Sequence, residues 1–319
     1  MAKHISSTDE LPSLGDAVDQ QSANVAEPSD TESLCKPSLK PLAAGLYLVA
    51  TPIGNAADIT LRALDILARA DLVLCEDTRV SGNLLKIHGL HARLQAYHEH
   101  NAERVRPMVM KRLKAGAVIA LISDAGMPLI SDPGYRMVAD CVAAGINLTA
   151  APGPSASLTA LVLSGLPTDR FYFQGFLSPK TTARKKTLAE ISAIPGTLIF
   201  LESAKRLGRC LADMADVLGP RPAAVGRELT KFYEEIRRGP LDELATHYSL
   251  AGPPKGEITL CVGPPLPAAP PTDAELDRLL ASALESQSVR EVAATFSART
   301  GLPKRALYAR AQALKDRLS

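Results

Sequence analysis

The sequence predicts an α/β protein, with two α/β domains followed by a small helical module. Three observations carry that expectation. Short apolar runs alternate with stretches of helical period, the pattern of a mostly parallel sheet covered on both faces. The closely spaced runs 223–229 and 232–239 break the alternation and point to a second, mixed sheet. A segment with five prolines in eight residues, 264–271, sets off a C-terminal stretch with helix-turn-helix spacing. A length of 319 residues fits two domains and an appendage.

The elements follow in order. Residues 1–43 carry seven acidic and three basic side chains and no apolar period, which predicts a disordered tail. The first domain is expected over 44–168. It opens with the buried strand "GLYLVA" (45–50), the loop "TPIGNAAD" (51–58), and a helix within 59–71 that sets Leu61, Leu64, Leu67 and Ala68 on one face. "LVLC" (72–75) is a second strand, ending in the polar cluster Glu76, Asp77, Thr78 and Arg79. Asn101 can cap a helix that runs through Val105, Met108, Val109 and Leu113 and stops at Gly116. The strand "AVIALI" (117–122) leads into "SDAGMPLISDPG" (123–134), then a helix near 134–144, the strand "INLTA" (146–150) and "APGPSAS", which opens another helix.

The second domain is expected over 169–263, with strands at 171–177, 197–202, 223–229, 232–239 and 256–263. After the proline-rich linker 264–271 comes a basic helical module, 272–319. There Thr272 and Glu275 predict a capping box. Val289, Val292 and Phe296 share a face, Gly301 ends one helix, and Pro303 suits the first turn of the next. Leu307, Ala311, Leu314 and Leu318 continue the apolar stripe. Residues 288–319 hold seven basic and two acidic side chains, so the hairpin offers phosphate contacts, with Lys304 and Arg305 at the start of its second helix. A docking or dimerisation hairpin is the alternative.

Composition excludes several classes. Apolar residues make up 46%, enough for real cores, whereas aromatics at 4% and the absence of Trp argue against binding by rows of stacked rings. A net charge of +2 does not by itself imply nucleic-acid binding. The five cysteines are scattered singly, which disfavours a zinc site or a disulfide framework and fits a reducing, cytoplasmic setting. No apolar run approaches the ~20 residues of a membrane span, and the N-terminus lacks a signal-peptide core.

Ligands of open α/β sheets sit beyond the carboxyl ends of the strands. Three Gly/Pro-rich polar loops are expected there: 51–58, 123–134 and 152–157. Together they suit a small ligand held by main-chain amides and carbonyls, with Asp124 or Asp132 accepting hydrogen bonds. The alternative is that these Ser and Asp residues only cap turns and helices. Neither GxxxxGK[ST] nor a GxGxxG after the first strand is present, which disfavours an ATP or dinucleotide site. His98-Glu99-His100 has no fixed ligand geometry and reads as surface histidines rather than metal ligands, so no metal is expected. Ser155 is not in a GxSxG elbow, which excludes that type of hydrolase.

The segments "LYLVATPIGNAADITLRALDIL", "CEDTRVSGNLL", "LISDAGMPLISDPG", "APGPSA", "FQGFLSPK", "LESAKRL" and "KGEITL" resemble, in order, the motifs of the tetrapyrrole-methylase superfamily. More closely they resemble its ribosomal branch, the 16S rRNA (cytidine 2′-O) methyltransferase I family. The resemblance spans about 45–263, and 273–319 is similar to that family's C-terminal helix-turn-helix. It implies a two-domain class III methyltransferase fold with S-adenosyl-L-methionine in the cleft between the domains. Carried over, Pro52, Ile53 and Gly54 form the first cofactor loop. Asp124, Ala125, Gly126 and Met127 form the second. Gly153, Pro154, Ser155 and Ala156 close the pocket, and Phe200, Leu201 and Glu202 come from the second domain. Met127 departs from the family's usual Gly-Thr-Pro.

The same resemblance implies 2′-O-methylation of a cytidine in 16S rRNA of the small ribosomal subunit, by a cytoplasmic homodimer. Candidates for the proton acceptor or an electrostatic helper are Glu76, Asp77, Glu228, Lys231, Glu202, Lys205 and Arg206. Lys180, Arg184, Lys185 and Lys186 form a basic run that could guide RNA phosphate. Three alternatives stay open: a methylase of a tetrapyrrole precursor, a ligand-sensing helix-turn-helix DNA-binding protein, and a non-catalytic ribosome-assembly factor.

Overall fold

A computed structural model describes residues 41–132, 134–266 and 272–318. Most of the expected tail, Pro133 and residues 267–271 of the expected linker lie outside the described residues.

The first sheet contains β1 (Gly45–Val49), β2 (Leu72–Cys75), β3 (Leu94–Ala96), β4 (Val118–Ile122) and β5 (Leu148–Ala151). It is fully parallel, in the order β3-β2-β4-β1-β5. Its helices are α1 (Leu61–Arg69), α2 (Thr78–Ile87), α3 (Ala102–Lys114) and α4 (Tyr135–Ala143). Leu46, Leu72, Leu74, Ile119 and Leu121 pack beneath α3 and α4, where they meet Val109, Leu113, Met137 and Cys141. Burying each such side chain contributes roughly 1.5–3 kcal/mol.

The polar caps decide where the helices begin. Thr60 accepts the Ala63 N–H at 3.1 Å and starts α1; Asp77 accepts the Arg79 N–H at 2.8 Å and starts α2. Asn101 stands at the N-terminus of α3, but its side chain does not cap it. The amide instead accepts the His98 N–H at 2.9 Å and donates to the Ala96 carbonyl at 3.0 Å, clasping the loop after β3.

A fifth helix, α5 (Ala156–Ser164), follows β5 but lies on the other sheet. That sheet comprises β6 (Phe171–Phe176), β7 (Thr197–Ser203), β8 (Pro222–Arg227), β9 (Glu235–Pro240) and β10 (Glu257–Val262). The order is β6-β7-β10-β8-β9, and only β6 and β7 run parallel. It is mixed, as the closely spaced runs predict, although residues 232–234 form a turn before β9. Helices α6 (Thr181–Ile191), α7 (Leu207–Leu218) and α8 (Leu241–Ala251) cover one face. On the other face Ala160 and Leu161 of α5 meet Ile199, Ala224 and Cys261, and Ile53 from the loop after β1 joins them. Helix α5 thus precedes residue 169 in the chain and packs on the second sheet.

The C-terminal module has three helices, α9 (Asp273–Leu284), which the capping box starts, and the helix-turn-helix pair α10 (Val289–Thr300) and α11 (Lys304–Leu318). The Thr272–Glu275 capping box forms, and Ser288 with Glu291 makes a second. Gly301 ends α10 with φ +72°, the left-handed conformation that costs glycine least. Leu276 and Leu280 of α9 pack with Val292, Phe296, Leu307 and Ala311. Arg310 binds Asp273 and Asp277, so one of the module's basic side chains fastens α11 to α9 and is not free for phosphate.

Candidate active site

The order β4-β1-β5 sets three carboxyl-end loops side by side. Their meeting point is Gly126. Thr51 and Gly126 exchange main-chain bonds, with Thr51 N–H donating at 2.9 Å and Gly126 N–H returning at 3.0 Å. The Thr51 hydroxyl donates to the Ser123 carbonyl at 3.0 Å, and the Ser123 hydroxyl donates to the Gly126 carbonyl at 2.9 Å. Gly126 has φ +83°, and a Cβ there would lie 3.4 Å from Ile53 Cγ2 and 3.6 Å from the Pro154 carbonyl. The loop after β2 joins through Asp77, whose N–H donates to Asp124 Oδ1 at 3.1 Å. Ser155 caps α5, its hydroxyl accepting the Leu158 N–H at 3.5 Å.

The second sheet contributes the turn between β8 and β9. Thr230 Oγ1 accepts the Asn55 N–H at 3.1 Å. Lys231 reaches Glu228 Oε1 and Glu257 Oε2, each at 2.9 Å. Glu228 and Thr230 adopt positive φ, +49° and +64°, a conformation non-glycine residues rarely take. One cleft is lined by Pro52, Ile53, Gly54, Ser123, Asp124 and Lys231, with Val80, Asn83 and Leu84 of α2 on its wall.

Electrostatics separate the candidate roles. The Lys231 ammonium and the Glu257 N–H hold the Glu228 carboxyl below its usual value. Glu228 is therefore a weaker base than a free carboxylate, and it braces the turn. Burial pulls the Lys231 ammonium down, but Glu228 and Glu257 outweigh it, so Lys231 stays cationic. Arg79 holds the Asp77 carboxyl down at about 2.

Other candidates are displaced. Phe200 is fully buried with its ring among α6, α7 and α8, so that ring cannot line the cleft. Alternation along β7 leaves Leu201 on the face Ile199 shares with α5. Glu202 is buried, and its carboxylate accepts from Arg206 Nε at 2.7 Å and from the Ser203 N–H at 2.6 Å, a structural clasp. Arg184, expected to meet phosphate, is only 3% exposed. Its guanidinium donates to Asp213 at 2.7 Å and to the carbonyl of Ser178 at 3.0 Å. Lys185 is tied to Asp213 and Asp216, while Lys180 and Lys186 are exposed. Lys304 and Arg305 are exposed as well.

Glu76 does not line the cleft. It lines a second cavity with Tyr97, His98, His100, Ser131 and Asp132. His98 is partly buried, with Glu99 and His100 exposed beside it, and its Nδ1 has no hydrogen-bond partner. Among the described residues no group of three or more His, Cys, Asp or Glu side chains is arranged to hold a metal ion. Sequence reasoning missed the α2 wall, although Val80, Asn83, Leu84 and Ile87 carry the helical spacing that could have revealed it.

This fold and this cleft define a methyltransferase of the tetrapyrrole (corrin/porphyrin) methylase class, whose family description matches residues 45–245. The RsmI C-terminal HTH domain matches residues 270–315. The chain belongs to the family of ribosomal RNA small subunit methyltransferase I. It is 52% identical to the member from Mesorhizobium japonicum over 278 residues, which is 87% of this chain and 94% of that protein. It is 44% identical to the Escherichia coli O157:H7 member, covering 82% of this chain and 93% of that one. Solved structures with the same fold include diphthine synthase, with a TM-score of 0.54 and 14% identity over 68% of this chain and 89% of that one. Cobalt precorrin-4 methyltransferase, a cobalamin biosynthetic enzyme, has a TM-score of 0.51 and 17% identity over 68% of this chain and 94% of that one.

Proposed function

We propose that this protein transfers a methyl group from S-adenosyl-L-methionine to the ribose 2′-hydroxyl of a cytidine in 16S rRNA, acting as a homodimer on the small ribosomal subunit. The observation that carries the reading is the cleft, where the loops after β1 and β4 bring Pro52, Ile53, Gly54, Ser123 and Asp124 together and a cationic Lys231 closes from the second sheet. The relatives' name supplies the substrate class.

The residues fit such a cofactor. Gly126 and Gly153 let the loops pack closely, and a Cβ at Gly153 would fall 2.9 Å from that of Ala50. Asp124 offers a carboxylate to hydroxyls or an amine, and Lys231 offers a cation to a carboxylate. When bound, S-adenosyl-L-methionine supplies a methyl group on a sulfonium. The chain's part is to hold the acceptor oxygen in line with that group, about 3–3.5 Å away.

Labelled methyl transfer tests the reading. Purified protein, labelled S-adenosyl-L-methionine and small subunits lacking the modification should give label in rRNA, at one alkali-resistant linkage. No label in subunits or naked rRNA overturns it, and label in a tetrapyrrole precursor would replace it. A second expected result concerns the module. The double variant Lys304→Glu and Arg305→Glu weakens subunit binding and lowers the slope of log affinity against log salt by about 2. Cofactor affinity, read by calorimetry, stays unchanged. An unaltered salt slope removes these two residues from the RNA interface.

A further inference from the structure

The cofactor cleft and the second cavity share one loop. Ser123 and Asp124 line the first, while Ser131 and Asp132 line the second. Asp132 lines the second cavity and lies near Ser123 and Asp124, which line the first, so it stands close to where the two cavities adjoin. Leu129 and Ser131 reach this geometry through positive φ, +75° and +66°. Such conformations cost ~1–3 kcal/mol each and persist only where the surroundings impose them.

The second cavity lies at the carboxyl ends of β2, β3 and β4 and is concave, polar and ring-lined. Tyr97 forms its buried floor. Two polar atoms facing this region are buried without a partner, His98 Nδ1 and Arg106 Nη1. Orphaned buried polar atoms call for a ligand, and these two can meet the oxygens or ring nitrogens of a nucleoside.

We propose that the second cavity receives the target nucleoside and that Asp132 is the catalytic residue that accepts the proton of its ribose hydroxyl. The inference deepens the methyl-transfer reading and rests on it. In the step, the hydroxyl oxygen forms a bond to the methyl carbon while the carbon–sulfur bond breaks. Its electron pair goes to sulfur, turning the sulfonium into a thioether. The hydroxyl proton passes to the Asp132 carboxylate and then to solvent.

The other carboxylates are less suited. Asp124 already accepts a main-chain N–H, Glu228 is braced by Lys231, and Glu76 is exposed. Burial, with Glu76 and Asp124 adding repulsion, pushes the Asp132 carboxyl up to about 6. At pH 7 it is mostly ionised yet basic enough to take a proton. The charged and titratable groups around it are Glu76 and Asp124, His98, Glu99 and His100 from the loop after β3, Glu103 and Arg106 from α3, and Arg136 from α4.

The test is the pH dependence of kcat/KM on small subunits, for the wild type and for Asp132→Asn. Wild-type kcat/KM should rise with pH and level off above about 6. Asp132→Asn should lose about 100-fold or more in kcat. It should also lose the acid limb, while S-adenosylhomocysteine affinity and melting temperature hold. A variant within ~5-fold of wild type, or one that keeps the limb, overturns the assignment. A wild-type profile flat from about pH 5 to 8 overturns it without any variant. If the wild type labels rRNA while Asp132→Asn is unimpaired, only the proton acceptor is wrong. If the wild type labels no rRNA, the reading beneath it falls and takes this inference with it.

Discussion

Gly54→Ala lowers methyl transfer by ~100-fold or more, the loss expected when reacting groups are misplaced by about 1 Å. A Cβ at residue 54 would lie 2.4 Å from Lys231 Cγ and 2.9 Å from both the Leu229 carbonyl and Thr230 Oγ1. Lys231 cannot simply swing away, because its ammonium is held between Glu228 and Glu257. Thr230 cannot move freely either, since its hydroxyl accepts the Asn55 N–H. The methyl group must therefore push the β8–β9 turn away from the loop after β1, opening the cleft where the two sheets contribute to one site. Calorimetry with S-adenosylhomocysteine and single-turnover transfer to subunits measure the effect. Wild-type affinity together with a wild-type rate would show that this close approach is not needed.

Asp213→Ala destabilises the protein by about 3–5 kcal/mol, because it strands the Arg184 guanidinium in a buried setting. The melting temperature should fall by roughly 10 °C. Arg184 retains its bonds to the Ser178 carbonyl and to Thr181, but neither neutralises its charge. Replacing both partners, as Arg184→Met with Asp213→Leu, should recover much of the loss, because the unpaired charge is removed with its partner. Differential scanning calorimetry reads all three proteins. The competing idea, that Arg184 serves RNA, requires Arg184→Ala to weaken subunit binding at an unchanged melting temperature.

The sheets were legible because buried strands write themselves as apolar runs closed by polar or glycine residues. "LVLC" coincides with β2, and "AVIALI" differs from β4 by one residue. Neither α2 nor β3 stands out, since α2 carries Gly82 in its middle and β3 is three half-buried residues. The three site loops were legible because each follows such a run and is rich in Gly and Pro. What stayed hidden depends on distant partners. Arg184 reads as part of a basic run until Asp213, 29 residues away, is seen beside it. Phe200 sits in a recognisable segment, but only the packing tells which face of β7 it occupies. Asn101 has a capping residue's chemistry and spends it on the loop before it.

Helix α5 leaves the first sheet and is covered by strands that all come later in the chain. During synthesis its apolar residues Ala160 and Leu161 emerge before β7, β8 and β10 exist to receive them. The first half is thus left with an unsatisfied surface until translation passes residue 262, and it cannot finish as an independent folding unit. Once β10 closes the second sheet, α5 makes the stability of each sheet depend on the other. The two α/β halves should therefore melt in a single cooperative transition rather than one after the other.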